Sequence, residues 1–391
     1  MANKKIVVRI DWPIYNEGEY RDLIFPSLLS AELEKDERFI VSNSLDDKEK
    51  DLDVIVVFSG GSFRTIGDMK LSTLSIGQLR KKFFSRFYHP ILYLGRFLSL
   101  RKINFFDRLT SPNVEYEKTI SRIIRKNPNM KIVHRLDGSY QDICKRYGYD
   151  HTIVKINKDA DITIYQSRFA AKLWEQERHT IFGTSLTLNP KRKVVIPNGV
   201  DTVVFKPMGE KIQYKGRWKI LHASASSNPN KGLVRVLELA NILKNNEEIQ
   251  FYLVGRQIND PVCGKEIGSF ENVHYLGYEN NRESLSKIFR SMDIFLYPSK
   301  DDCSPNVLLE AMASGLPVVT IASGGNAEII IKEGYRGGTL MDENNPVLSL
   351  KTMIENFNEY QNDALNIIRH HHTLEKSIDA YKDAIRDAVN G

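Results

Sequence analysis

Apolar and polar positions along the chain switch between two periods. Short β-branched runs such as "KKIVVRI", "DLDVIVVFSG", "MKIVHRLDG", "ADITIYQS" and "KVVIPNG" read as strands, and segments such as "EYRDLIFPSLLSAELEKD" and "YEKTISRIIRKN" between them read as helices. That alternation predicts a parallel α/β architecture. After "NGVDTVVFKP" comes a polar stretch, "MGEKIQYKGR", which reads as a linker. The pattern then restarts with "WKILHAS", "GLVRVLELANILKN", "IQFYLVG", "NVHYLGY", "RESLSKIFRSM", "DIFLYPS", "NVLLEAMAS" and "PVVTIAS". The expectation is therefore two doubly wound domains, residues 1–205 and 206–375. A last amphipathic helix over 376–391 would pack back toward the first domain, with Thr373 as its N-cap. In such sheets ligands bind at the carboxyl ends of strands, and two facing domains make the cleft between them the expected site.

The helix in "DDCSPNVLLEAMASGLPVVTIASGGNAEII" (301–330) carries the chemistry. Ser304 suits an N-cap, Pro305 the first helical position, and Gly315 followed by Pro317 the stop. At about 100° per residue, Val307, Leu308, Leu309, Ala311, Met312 and Ala313 cover most of the circumference, while Asn306, Glu310 and Ser314 share one stripe. A helix apolar nearly all round is buried, so its polar stripe faces a polar partner or a cavity. Two readings stand side by side. In one, Glu310 pairs with a nearby Lys or Arg and Asp302 caps. In the other, Asp302 accepts hydroxyls of a sugar, the amides near Asn306 and Val307 hold phosphate, and Glu310 accepts a ribose diol.

The whole stretch resembles the signature of the retaining glycosyltransferases of family four, which have the GT-B fold: two Rossmann-like domains facing a cleft. The shared features are two acids separated by seven residues, then "EAMASGLPVV", then Gly324-Gly325 and Glu328. "VVIPNGVDTVVFKP" (194–207), "NPNKG" (228–232) and "ENVHYLGY" resemble further motifs of the family in the same order. The resemblance implies that Glu310 holds ribose and Asp302 the donor sugar near the reacting carbon. It implies that Lys231 meets the diphosphate and that Gly277 and Tyr278 lie beside the base. Cys303, Ser304, Asn306 and Val307 complete the donor loop, with Cys303 a small filler. Asp302 stands where the family more often has Glu, one methylene longer. Ala225-Ser226 stand where it usually has a phosphate-contacting arginine, and Arg256 is the candidate substitute. In the first domain Asp137 of "RLDG" takes the catalytic position, with His134 and Arg135 as its acceptor-side neighbours.

The implied activity is transfer of a sugar from a nucleotide sugar to a hydroxyl acceptor, with retention of configuration and no metal cofactor, in cell-surface polysaccharide or glycolipid synthesis. A nucleotide-sugar 2-epimerase of the same fold and a non-catalytic GT-B partner subunit are the alternatives.

Composition adjusts this picture slightly. With 391 residues, 41% apolar and 27% charged, the chain suits two soluble domains. Three separated cysteines argue against a disulfide framework and for a reducing, cytoplasmic setting. The amino-terminal run is too short for a signal peptide and reads as a first strand, and no stretch is apolar enough to span a membrane. Net charge is +6. Residues 79–108 hold eight Lys/Arg and eight Phe/Tyr against a single acid, Asp107, a mixture that suits peripheral docking on an anionic membrane. No nucleic-acid-reading motif surrounds it. The acids of "DLD" (51–53) and "DAD" (159–161) read as strand-entry residues rather than metal ligands. The histidines 370–372 have no further ligand in sequence reach.

Overall fold

A computed structural model describes residues 5–11, 24–42, 52–59, 114–139, 149–179, 183, 185–225, 229–256 and 270–391. The aromatic and basic stretch 79–108 lies outside them, as does Ser226. The chain divides into two compact units. The first comprises Met1–Gln166, Ala170–Ile196 and Ala380–Gly391, and the second Ser167–Phe169 and Pro197–Asp379.

In the first unit six strands, β1 (Ile6–Asp11), β2 (Phe39–Ser42), β3 (Val54–Ser59), β4 (Lys131–Leu136), β5 (Ile162–Tyr165) and β6 (Lys193–Val195), form one sheet in the order β2-β1-β3-β4-β5-β6. Every pairing is parallel. Among the described residues its helices are α1 (Ile24–Glu34), α2 (Val114–Lys126), α3 (Tyr149–Asn157) and most of α4 (Arg168–Glu175). Ile55, Val57 and Ile132 of the sheet pack with Ile120 and Ile123 of α2 and Ile156 of α3. The strand-entry acids act as the sequence implies: Asp53 accepts a hydrogen bond from the Val7 N–H at 2.9 Å, and Asp161 one from the Ile132 N–H at 2.9 Å. Each carboxylate joins one strand's entrance to its neighbour's.

The second unit repeats the plan. Strands β7 (Trp218–Ser224), β8 (Ile249–Gly255), β9 (Val273–Tyr275), β10 (Ile294–Tyr297), β11 (Val318–Thr320) and β14 (Gly338–Leu340) pair in parallel in the order β14-β11-β10-β7-β8-β9. A two-stranded hairpin of β12 (Ile331–Lys332) and β13 (Tyr335–Arg336) stands apart. Around the sheet lie α5 (Leu233–Ile242), α6 (Arg282–Arg290), α7 (Asn306–Ala313), α8 (Asn326–Ile330), α9 (Pro346–Glu355) and α10 (Phe357–His371). Alternate strand positions sort onto two cores. Leu221, Tyr252, Val254, Phe295 and Val318 pack with α6, α7 and α10. Ile220, Phe251, Leu253, Ile294, Leu296 and Val319 pack with α5 and α9. A strand covered on both faces reads as continuously apolar, which is why "IQFYLVG" shows no alternation of polarity.

This strand order has one reversal. From β7 the chain runs outward through β8 and β9, then returns to the other side of β7 with β10. The carboxyl ends of β7 and β10 therefore flank the switch point, where open α/β sheets leave a crevice for ligands.

The final helix, α11 (Leu374–Asn390), is capped by Thr373, whose Oγ1 accepts from the Lys376 N–H at 3.3 Å. Within the first unit its Tyr381 ring stacks on Phe58, centroids 6.0 Å apart.

Candidate functional site

At the switch point of the second unit the loops after β7 and β10 approach closely. The loop after β7 passes through a short 3-10 turn, Pro229–Lys231, into Gly232, where φ is +84°. A Cβ there would come 2.3 Å from the Pro298 carbonyl oxygen of the loop after β10. Only glycine allows both this backbone angle and this approach. The Lys300 N–H donates to the Asn230 carbonyl at 2.8 Å and locks the two loops in register. Lys231 Nζ then reaches Asp302 Oδ2 at 2.5 Å. The Tyr297 hydroxyl donates to the same oxygen at 3.1 Å.

The pair is partly buried, with the Lys231 side chain 29% and the Asp302 side chain 16% exposed. Burial opposes the lysine's charge, but the Asp302 carboxylate and Tyr297 outweigh it and hold the Lys231 pKa above its ordinary value. Burial pushes the Tyr297 phenol up. Beneath it, His222 stacks on Tyr297 with centroids 5.9 Å apart. Its Nδ1 is 2.9 Å from the Leu296 carbonyl, which can only accept, so the hydrogen sits on Nδ1. Burial lowers its pKa to about 4, leaving the imidazole neutral near pH 7.

Asp302 is held from below by the glycine pair. A Cβ on Gly324 would lie 2.3 Å from the Asp302 carbonyl oxygen, and one on Gly325 2.1 Å from that of Cys303. The Gly325 N–H donates to the Asp302 carbonyl at 2.7 Å. Asp301, just ahead, has φ +57°, a conformation that aspartate tolerates better than most side chains, and its N–H donates to Ser323 Oγ at 3.0 Å. Cys303 is buried. Glu328, the last acid of the signature, accepts from the N–H groups of Arg168 (2.9 Å) and Phe169 (2.6 Å), residues that belong to the second unit.

Helix α7 starts one residue later than its sequence suggests. Pro305, not Ser304, is the N-cap, and no side chain caps the helix. The proline ψ is 114°, extended rather than helical, and Ser304 is buried with its carbonyl accepting from Asn198 Nδ2 at 3.2 Å. The same Asn198 amide donates to Asn306 Oδ1 at 2.8 Å, placing that side chain at the helix start beside half-buried Val307. Among the described residues no side chain caps the first amides of α7. One turn on, Glu310 Oε1 lies 3.5 Å from Arg282 Nη1 of α6, and the Arg282 guanidinium lies 4.9 Å from the Phe205 ring centre. This is the arginine partner that the first sequence reading of the stripe required, and the carboxylate stays partly exposed. On the far side of β7, Gly277 takes φ +82° and its carbonyl accepts from the Gly255 N–H at 2.9 Å. Next to it Tyr278 is exposed and lies under the Arg256 guanidinium at 4.3 Å.

In the first unit Asp137 follows β4. Its Oδ1 accepts from Arg135 and from Gln166, and its carbonyl accepts from Trp174 Nε1 at 2.6 Å. Arg135 lies 5.6 Å from the Phe58 ring centre. Behind Trp174 is a buried ionic cluster: the Arg178 guanidinium sits 4.7 Å from the indole centre and donates to Asp150 at 3.2 Å and Ser139 Oγ at 2.9 Å. His134 corrects the expectation of an acceptor-side neighbour. It is fully buried inside the sheet, where its Nδ1 accepts from Asn157 at 3.1 Å, and burial lowers its pKa to about 3. Strand alternation explains this: Asp137 and Arg135 share one parity, His134 the other. Tyr297, Arg282, Trp174, Arg178 and Asp150 went unnoticed in the sequence. Only the position of Tyr297 at the end of a strand could have marked it.

Residues 217–357 match the family model described as Glycosyl transferases group 1. Among curated proteins, the chain is 27% identical over 154 residues to MMP alpha-(1->4)-mannosyltransferase of Mycolicibacterium hassiacum, covering 39% of this chain and 36% of the relative. It is 26% identical over 178 residues to lipopolysaccharide glucosyltransferase WaaG of Escherichia coli, covering 44% of each. The chain thus spans about two-fifths of the length of these relatives. Among solved structures it is similar to sucrose-phosphate synthase from Thermosynechococcus elongatus, with TM-score 0.62 at 14% identity over 98% of this chain and 99% of the other. It is also similar to Anabaena HepE in complex with UDP-glucose, with TM-score 0.56 at 14% identity over 98% and 100%. The two parallel-sheet α/β units have the GT-B fold.

Proposed function

We propose that this protein is a glycosyltransferase that moves a sugar from a nucleotide-sugar donor to a hydroxyl acceptor with retention of configuration. The observation that carries the reading is the convergence of Lys231 and Asp302 at the switch point of the second unit, beside a helix whose first amides no side chain caps among the described residues. The chemistry follows from charge. Lys231 and the α7 amides are the cationic and dipolar groups for a leaving diphosphate. The reading includes no metal cofactor. Glu310 offers acceptor oxygens to a ribose, Asp302 to sugar hydroxyls, and Arg256 over Tyr278 a flat face on the base side. Asp137, oriented by Arg135 and Gln166, is the catalytic carboxylate of this reading. Orienting the acceptor hydroxyl would supply much of the remaining rate.

Relatives named as a mannosyltransferase and a lipopolysaccharide glucosyltransferase support a polysaccharide or glycolipid product. A neighbour solved with UDP-glucose supports a nucleotide-sugar donor. Among the described residues no helix is long and apolar enough to cross a membrane. A peripheral position on the cytoplasmic face of a membrane, docked through residues 79–108, fits a lipid-linked acceptor.

The test is incubation with a panel of uridine, guanosine and adenosine diphosphate sugars, with and without sugar or lipid-linked acceptors. Acceptor-dependent release of nucleoside diphosphate, with the product anomer read by NMR, is expected. Interconversion of the donor sugar without transfer would instead identify an epimerase, and inertness toward the whole panel a non-catalytic subunit.

A further inference from the structure

In the structure Asp302 Oδ2 takes two donors, Lys231 Nζ and the Tyr297 hydroxyl. Lys231 is the cation that the proposed function assigns to the diphosphate. One ammonium cannot fully serve both anions. We propose that Asp302, through its pairing with Lys231, makes the donor pocket discriminate an intact nucleotide sugar from the spent nucleoside diphosphate. This rests on the nucleotide-sugar reading above and adds a specificity role to it.

The argument is one of compensation. A diphosphate that draws Lys231 to itself removes the strongest donor from a mostly buried carboxylate. The loop beneath cannot retreat, because the backbones of Asp302 and Cys303 lie directly on Gly324 and Gly325. Tyr297 leaves Asp302 with a single neutral donor. If a sugar is attached, its hydroxyls replace the lost bonds. If the diphosphate is bare, none arrive, and its terminal phosphate brings further negative charge toward the carboxylate. A partly desolvated carboxylate feels both effects more strongly than one in water. The pocket therefore holds donor in preference to product and favours product release after transfer.

The experiment measures, by titration calorimetry, dissociation constants for UDP, GDP and ADP, for their glucose and mannose conjugates, and for the bare nucleosides. In the wild-type protein the diphosphate should bind more weakly than its sugar conjugate. In Asp302→Asn the diphosphate should tighten about fivefold or more while the conjugate does not, so the ratio of the two constants falls by the same factor, about fivefold or more. Nucleoside affinity should change little. Asp302→Ser gives a second way to remove the carboxylate if the amide variant does not fold. An unchanged ratio in a folded variant overturns the discrimination role and leaves the nucleotide-sugar reading intact. So does a wild-type protein that binds the bare diphosphate more tightly than the conjugate. Failure of the wild-type protein to bind any nucleotide overturns the functional reading itself, and the discrimination role with it.

Discussion

Arg282, at the first position of α6, places its guanidinium 3.5 Å from the carboxylate of Glu310, in the middle of α7. The pair joins the two helices, yet Glu310 keeps a partly exposed carboxylate. An exposed or half-exposed ion pair contributes little to stability, so its chief consequence here is orientation. Glu310→Ala should weaken nucleotide binding at least about tenfold, since loss of a charged hydrogen-bond partner costs about 1.5–3 kcal/mol. Arg282→Met should shift thermal stability only slightly. Calorimetric titration of both variants with the same nucleotide checks this. An unchanged dissociation constant for Glu310→Ala would remove the ribose assignment.

The glycine contacts under the donor loop are backbone against backbone, which no rotamer change relieves. Gly325→Ala should therefore cost about 2–4 kcal/mol. Gly232→Ala, with φ at +84° and the Pro298 carbonyl 2.3 Å away, should cost at least as much. Gly334→Ala, also at positive φ (+78°) but with nothing within 4 Å of its Cβ, should lose much less. Chemical denaturation of the three variants separates crowding from backbone angle.

Asp150 and Arg178 are nearly inaccessible to solvent, with side chains 1% and 5% exposed. Removing one member of such a pair strands the other's charge. Arg178→Met should destabilise the first unit by about 3–5 kcal/mol, and Asp150→Asn combined with it should recover part of the loss. Because Trp174 joins this cluster to the Asp137 carbonyl, the single variant should also lower turnover. A double-mutant cycle in urea gives the stability term.

Three buried imidazoles set the acid limit. Burial lowers the pKa values of His134, His222 and His372 from 6.5 to about 3, 4 and 4. The unfolded chain takes up these protons near pH 6.5, while the folded chain does not until near pH 4. Stability is thus complete above pH 6.5 and declines as pH falls toward 4. His372→Asn, whose amide can keep a donor toward the Asn198 carbonyl, should flatten the slope by up to about 1.4 kcal/mol per pH unit. Melting temperatures across pH 4–8 test it.

Local signals in the chain were strong where one element decides the outcome. The parallel α/β plan follows from alternating periods, and the buried helix with one polar stripe follows from the placement of Asn306, Glu310 and Ser314. The acids entering β3 and β5 were legible because their role is local to a strand's start. What stayed hidden depends on partners far apart in sequence. Arg282 is 28 residues from Glu310, and Lys231 is 71 from Asp302. No periodicity encodes such meetings, and only the order of motifs suggested the second. His134 was misread because a strand turns adjacent residues to opposite faces, and one residue of parity decides between core and rim. The start of α7 was misplaced because a proline fits both the N-cap and the first helical turn, and only ψ separates them.

The bare contact of Gly324 and Gly325 with Asp302 and Cys303 also constrains how such a pocket can diversify. With carbonyls resting on glycine backbone, the loop has no height to adjust. A chain that needs a longer or shorter grip on its substrate must change the length of the side chain at position 302, not the path of the loop. Aspartate here fixes the reach at its shortest charged setting, and lengthening it by one methylene is the smallest step by which this site could be retuned.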